Sequence, residues 1–354
     1  MTCHRGVFAA VASLPPVSDN AADPVRRSLD ASIGQPLGSG GPSVAPDAVN
    51  LPMVRHWVDA LDDRNPVYLD GEQAVTTRFG GLVAPPAMLQ TWTMARPRIE
   101  GIAERGGAAM EVSPESPLGR LAAAGYTATL ATNSELDFVR YLRLGDRLSS
   151  LAVLDSVSDQ KVTSLGTGYF VTWVTDYRTD AGEVVGRQRF RVFRFAPGSP
   201  TTEPAGRGGA RGAPADAAGA ERSSEAALPS WELDVTATVI VAGAIASRDF
   251  MPAHHDRDYA QAQGAPDIFM NILTTNGYLS RYVTDWAGPQ AVLQSMAVRL
   301  GAPSVPWHPM RFDGSVTSER REGDERRLDV AVRAVTDLGP HATGTVVLTL
   351  PAGA

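Results

Sequence analysis

Between residues 50 and 61, Met53, Val54, Trp57, Val58 and Leu61 recur at the spacing of one helix face, and residues 82–94 read as a second, mostly buried helix. The period then changes. Residues 126–132, 147–157, 164–177 and 184–195 are rich in β-branched and aromatic side chains and are separated by turn formers, which predicts strands. The plan repeats in the last part of the chain. Residues 233–245 read as a strand, 268–283 as a helix, and 296–300, 310–317, 327–335 and 343–350 as further strands. Each half is therefore expected to be a helix wrapped by an antiparallel sheet.

Two stretches lack either period. Residues 1–46 and 197–230 are rich in Gly, Pro, Ala and Ser, a composition that supplies little apolar surface to bury. The expected organisation is a disordered leader (1–46), a first domain (47–196), a flexible linker (197–230) and a second domain (231–351). With 354 residues, two domains also fit the usual domain size.

Composition narrows the function. Hydrophobic residues make up 43% and charged residues 20%, and the formal charge of -7 removes the electrostatic reason to expect nucleic acid as a partner. Cys3 is the single cysteine, so no disulfide framework or thiolate metal site can form within one chain, and a reducing cytoplasm fits. No apolar run reaches the roughly 20 residues of a membrane span. Residues 7–14 faintly resemble the core of a signal peptide, but only His4 and Arg5 supply basic character ahead of them, so export is not expected.

Candidate chemistry emerges from an internal repeat. Asp63, Pro66, Asp70 and Ala74 match Asp249, Pro252, Asp256 and Ala260 at one constant offset, within the same order of elements. One position differs informatively: Tyr68 stands where the second copy has His254. A carboxylate and an imidazole can exchange protons near neutral pH, whereas a phenol titrates near about 10. Pro252 disfavours a regular helix between Asp249 and His254, so the two side chains are expected to converge from a rigid loop. Residue types alone also allow a plainer reading, with Asp249 capping a turn and His254 solvated beside His255. A metal at His254, His255 and Asp256 is the weaker alternative, because adjacent side chains diverge and no further zinc ligands are visible.

The segment Asp62-Asp63-Arg64-Asn65-Pro66-Val67-Tyr68 resembles the Gly-Asp-x-Asn-Pro-x-His motif of MaoC-like hydratases, with Asp for Gly and Tyr for the active-site His. Asp249-Phe250-Met251-Pro252-Ala253-His254 resembles the same motif with its Asp and His kept and Met251 in place of Asn. The resemblance grows more specific around Val83-Ala84-Pro85-Pro86-Ala87-Met88, which is similar to the larger subunit of actinobacterial steroid side-chain enoyl-CoA hydratases. His254-His255-Asp256-Arg257-Asp258, Asp267-Ile268-Phe269 and Tyr282-Val283-Thr284-Asp285-Trp286-Ala287-Gly288-Pro289 are similar to the smaller, catalytic subunit. The chain thus resembles both subunits fused, without the zinc-ribbon and oligonucleotide-binding-like region by which the larger subunit docks an aldolase.

The resemblance implies an α+β fold of two hot-dog domains, each a long central helix in a curved antiparallel sheet. It implies hydration of the 2,3 double bond of an enoyl-CoA, a bulky and even steroid-sized one, with Asp249 as base and His254 orienting and shuttling the proton. The oxyanion is expected at the backbone N–H of Asn271, at the start of the second central helix, where helix-end amides favour negative charge. Asp63, Asn65 and Tyr68 form the degenerate copy, and the exchange of His for Tyr68 is expected to leave room for the acyl group. No cofactor or metal beyond the CoA thioester is expected, and a homodimer and an aldolase- or thiolase-type partner are the assemblies in keeping with the resemblance. An acyl-CoA thioesterase and a noncatalytic acyl-CoA-binding or assembly protein stay open as rivals. The six tryptophans are read as core or interface anchors. Arg281, Arg299 and Arg311 are candidates for CoA phosphates that sequence leaves unassigned.

Overall fold

The computed structural model describes residues 23–38, 41–199 and 226–353. Its elements in chain order are α1 (Pro24–Asp30), β1 (Ser43–Val44), α2 (Leu51–Leu61), α3 (Pro66–Leu69), α4 (Gly71–Thr76), α5 (Pro117–Ala123), β2 (Ala128–Phe138), β3 (Leu148–Val157), β4 (Lys161–Thr163), β5 (Gly166–Thr179) and β6 (Val184–Ala196). After these come β7 (Ala226–Leu233), α6 (Ala237–Ala246), α7 (Arg257–Ala262), α8 (Ile272–Ala287), β8 (Val292–Leu300), β9 (Met310–Glu322), β10 (Glu325–Thr336) and β11 (Gly339–Pro351).

All the strands belong to one antiparallel sheet, ordered β1-β3-β5-β6-β2-β8-β11-β10-β9-β7, with β4 pairing only β5. The order is the duplication made visible. Outward from the β2–β8 seam, each half runs through its last strand, its next-to-last, and then its outer ones. The seam pairs Asn133 with Arg299, Ser134 with Val298 and Leu136 with Met296. Alternation along β2 and β8 sends Ser134, Leu136, Met296 and Val298 into the core and Asn133, Glu135 and Arg299 to the opposite face.

α8 is the spine of the second half. Asn271 caps it by accepting from Thr274 N at 2.8 Å, it runs for 16 residues, and Gly288 at φ 80° ends it. It is buried from Ile272 to Ser280 with no exposed face, Thr274, Thr275 and Asn276 included, as a helix enclosed by a sheet must be. Two glycines permit close crossings. A Cβ on Gly277 would lie 2.3 Å from Leu61 of α2, and one on Gly243 of α6 would lie 2.4 Å from Thr274 of α8. The second approach brings the end of α6, and hence Asp249, to the start of α8.

Three expectations need correction. Residues 233–245 are a strand end followed by α6, although Val, Ile and Thr abound; Thr236 caps α6 and the packing of Gly243 on α8 outweighs β-propensity. Residues 82–94 do not form a helix. Pro85 and Pro86 remove backbone donors, and the segment passes through the core as two 3₁₀ turns, Pro86–Met88 and Thr91–Thr93. Their periodic apolar residues reported burial, not helicity. The expected leader and linker contain ordered elements. Asp23 caps α1 and accepts from Tyr169 Oη at 2.7 Å, Leu29 is fully buried, and Ser43–Val44 pairs with β3. β7 begins at Ala226, inside the expected linker. Residues 1–22, 39–40 and 200–225, where the rest of those expectations fall, lie outside the described residues. Trp57 and Trp92 are core anchors as expected, but Trp307 is 67% exposed. Among the described residues no helix is long and apolar enough to cross a membrane.

Candidate active site

Each copy of the repeat places its aspartate by the same local device. α2 ends at Asp62 (φ 50°) and α6 is followed by Arg248 (φ 60°), both left-handed, so the chain turns sharply and delivers Asp63 and Asp249 into the interior. This conformation favours glycine, the residue the resembled motif carries there. The next aspartates, Asp70 and Asp256, cap α4 and α7, and Ala74 and Ala260 are fully buried. The duplication read from four identities therefore extends to the role of each residue.

In the second copy, His254 sits on the 3₁₀ turn Pro252–His254, with its ring Nδ1 2.7 Å from the Phe269 carbonyl and its Nε2 3.4 Å from Asp249 Oδ2. A carbonyl can only accept, so Nδ1 carries the proton and Nε2 faces the carboxylate. Asp249 Oδ1 accepts from Met251 N at 3.2 Å, and Oδ2 accepts from Asn271 Nδ2 at 3.0 Å. The Asp249 side chain keeps 20% of its surface exposed and that of His254 only 6%, so water reaches the carboxylate first. Burial alone would raise the Asp249 carboxyl, but attraction to His254 and the hydrogen bonds from His254, Met251 and Asn271 together hold it below its ordinary value. Burial alone would lower the His254 imidazole, but Asp249 and the Phe269 carbonyl raise it. The arrangement sets a carboxylate beside an imidazole, each favouring the charged form of the other.

Asn271 stands at the predicted place but does more than expected. Its Nδ2 also donates to the buried Ser247 Oγ at 2.9 Å while its Oδ1 caps α8. Its backbone N–H makes no hydrogen bond among the described residues. The side-chain role was missed because Asn271 lies far from Asp249 in sequence. The only advance signal was the Asn lost from the motif at Met251, whose side chain instead packs on Gly107.

The first copy is assembled differently. Asp63 accepts from Asn65 N at 3.0 Å, and Asn65 caps α3 through Val67 N. Tyr68 is 1% exposed within the main core, so it fills the histidine's place and does not leave room there. Its phenol is raised well above its ordinary value by burial. Burial also pushes Asp63 up to about 6, with Asp285 adding repulsion and Arg281 opposing it. Arg281 is occupied: it donates to Leu61 O, meets Asp62 and Asp285, and lies over the Trp231 ring at 4.7 Å. His255 Nε2 pairs with Phe250 O and Asp256 caps α7, so neither converges with His254 on a common centre. Among the described residues no group of three or more metal-ligating side chains forms.

Comparison with known proteins places this architecture in a class. A solved MaoC-like dehydratase matches with a TM-score of 0.67 and 21% identity over 91% of this chain and 99% of its own, which gives the double hot-dog fold. A model described as the FAS1-like dehydratase domain region matches residues 43–188. The 3-oxo-4,17-pregnadiene-20-carboxyl-CoA hydratase beta subunit of Mycobacterium tuberculosis is 46% identical over 125 residues, 35% of this chain and 94% of that protein. A protein of Thermomonospora curvata named "Probable enoyl-CoA hydratase alpha subunit" is 43% identical over 176 residues, 48% of this chain and 51% of that protein. The chain belongs to the MaoC-like enoyl-CoA hydratase family, and it spans about half the length of the alpha-subunit relatives it matches.

Proposed function

We propose that this chain adds water across the 2,3 double bond of a bulky enoyl-CoA, of the steroid side-chain class, to give a 3-hydroxyacyl-CoA. The observation that carries the reading is the Asp249–His254 pair, 3.4 Å apart, each favouring the other's charged form, with an Asn271 N–H that makes no hydrogen bond among the described residues. Asp249 takes a proton from water and the resulting hydroxyl bonds to C3. The π electrons move toward the thioester oxygen, where the Asn271 N–H and the start of α8 meet the enolate charge. His254 Nε2–H delivers a proton to C2 and the carbonyl re-forms. Proton return from Asp249 to His254 resets the pair. No group beyond the substrate's CoA ester enters this scheme.

The substrate class rests on two supports. The names of the relatives specify a pregnadiene-carboxyl-CoA. The segment joining Met94 to Ser116 has no regular helix, exposes Ile99, Met110 and Val112, and touches the catalytic loop where Gly107 meets Met251. On this reading that segment, and not an emptied Tyr68 site, borders the acyl group. The first half stands for the alpha partner and the second for the beta subunit, joined in one polypeptide. A homodimer in the cytoplasm and an aldolase- or thiolase-type partner belong to the same proposal.

A spectrophotometric hydration assay over enoyl-CoA esters of increasing bulk tests it, with free thiol followed in parallel. Turnover of steroid-sized esters without thiol release is the expected result. Release of CoA points instead to a thioesterase, and turnover confined to short straight chains overturns the substrate class. The profile of kcat/KM against pH is expected to be bell-shaped. Its acid limb should lie below the usual carboxylate range, because Asp249 must be ionised, and its alkaline limb above the ordinary histidine value, because His254 must be protonated.

A further inference from the structure

The face of the sheet turned away from α8 carries a feature the hydratase reading does not use. Strand registers align Arg333, Thr343, Arg299, Asn133, Arg191 and Thr172 in one transverse row that crosses the β2–β8 seam. The row faces outward. Ser134, beside Asn133, accepts from Asn276 of α8 on the inner side, and Val192, beside Arg191, packs in the cluster that contains Ile272 of α8. Two surface cavities, of about 360 Å³ and 240 Å³, meet over this row at Asn133 and Glu135, and neither is lined by Asp249 or His254.

The charges in the row are not balanced. Arg333 pairs with Asp313 and the neighbouring Arg189 with Asp155, but Arg191 and Arg299 meet no carboxylate among the described residues. Arg191 is held over the Phe170 ring at 4.3 Å, and its buried Nε has no hydrogen-bond partner. Burial, and the repulsion of Arg189 and Arg299, lower the Arg191 guanidinium below its ordinary value. Their strands flank β2, so the two backbones stand roughly 10 Å apart with Asn133 between them. Two arginines of one row that meet no carboxylate at ion-pair distance among the described residues and line adjoining surface cavities suit an anion, with Glu135 at the border of the cavities opposing it.

We infer that Arg191 and Arg299, with Asn133 between them, form a binding site for a single phosphoryl group on the outer face of the sheet, separate from the Asp249–His254 site. Guanidinium forks suit the tetrahedral oxygens of phosphate, and the hydroxyls of Thr343 and Thr172 flank the pair. Glu135 borders both cavities and repels a second anionic group, which selects one phosphoryl over a polyphosphate chain. The phosphoryl has two sources, free phosphate or the 3′-phosphate of CoA, and one experiment separates them.

Thermal unfolding of the full chain is followed with inorganic phosphate against sodium chloride at matched ionic strength. Phosphate should raise the Tm saturably. The apparent Kd should weaken about tenfold or more in Arg299→Gln and in Arg191→Gln, and tighten in Glu135→Gln. Arg299→Gln carries the test if Arg191→Gln does not fold. CoA and 3′-dephospho-CoA are then compared: an Arg299-dependent shift with CoA alone assigns the substrate's 3′-phosphate, and equal shifts from the two assign free phosphate. A phosphate effect no larger than that of chloride, or one unchanged by Arg299→Gln, overturns the site. Loss of hydration in Asp249→Asn leaves this readout untouched, so the two proposals fail independently.

Discussion

The two copies of one motif shift the pKa of their aspartates in opposite directions. Asp249 is held ionised by His254, Met251 N and Asn271, whereas Asp63, with the same backbone turn and the same proline after it, is pushed up to about 6 by burial. The difference is a cation. Tyr68 supplies bulk without charge, and the charge nearby belongs to Arg281, already engaged by Leu61 O, Asp62 and Asp285. The two copies thus share local backbone geometry because it is set by capping and turn residues, while the pKa of the aspartate is set by what faces it.

Five changes bear on that contrast. Asp249→Asn and His254→Ala should each lower kcat by about 10²- to 10⁴-fold in the hydration assay, with circular dichroism unchanged. Equal activity in wild type and either variant would end the two-site comparison. Asn271→Ser keeps an α8 cap but loses the bond to the Asp249 carboxylate. A hydrogen bond to a charged group is worth about 1.5–3 kcal/mol, so turnover should fall roughly ten- to hundredfold and the acid limb of the pH profile should move upward. A loss of activity with an unmoved limb would reduce Asn271 to a structural cap.

Asp63→Asn probes the other copy. A carboxyl raised to about 6 in the fold, against about 3.9 unfolded, contributes stability that is complete below the unfolded value and lost as pH rises through the folded one. At pH 7 the ionised Asp63 is therefore a burden, and the Asn variant should be more stable by about 1–2 kcal/mol in chemical denaturation, with the gain vanishing below pH 4. A destabilised variant at pH 7 contradicts the contrast. The smallest expected effect is that of Tyr68→His, which places an imidazole beside Asp63 and should lower its pKa by about one unit or more, read by carboxyl NMR. An Asp63 unmoved by that histidine would mean that burial alone separates the copies.

Local sequence signals reached far into this protein. The long strands β2, β3, β5, β6 and β8 to β11, with α2 and most of α8, followed from periodicity, whereas β1, β4 and β7 did not. The pairing of Asp249 with His254 followed from a short proline-stiffened turn, which fixes geometry over a few residues. Where two apolar runs were misread, at 82–94 and 233–245, the pattern reported burial correctly and conformation wrongly. Hydrophobicity does not distinguish a proline-broken core segment from a helix, nor a β-branched helix from a strand, until the neighbouring surface is known.

The sequence by itself determined the duplication, the Asp249/His254 and Asp63/Tyr68 motifs and most of the strands, since all of these are written in residues close together along the chain. Tertiary structure alone decided which groups tune Asp249. Gly243 lets α6 lie against α8, and that contact brings Asn271 and Ser247 to the carboxylate from a distant stretch of chain. It alone decided that Tyr68 fills its site and that Arg191 and Arg299 stand on either side of Asn133 across the seam. Electrostatic interaction depends on distance in space, and only the folded chain sets that distance.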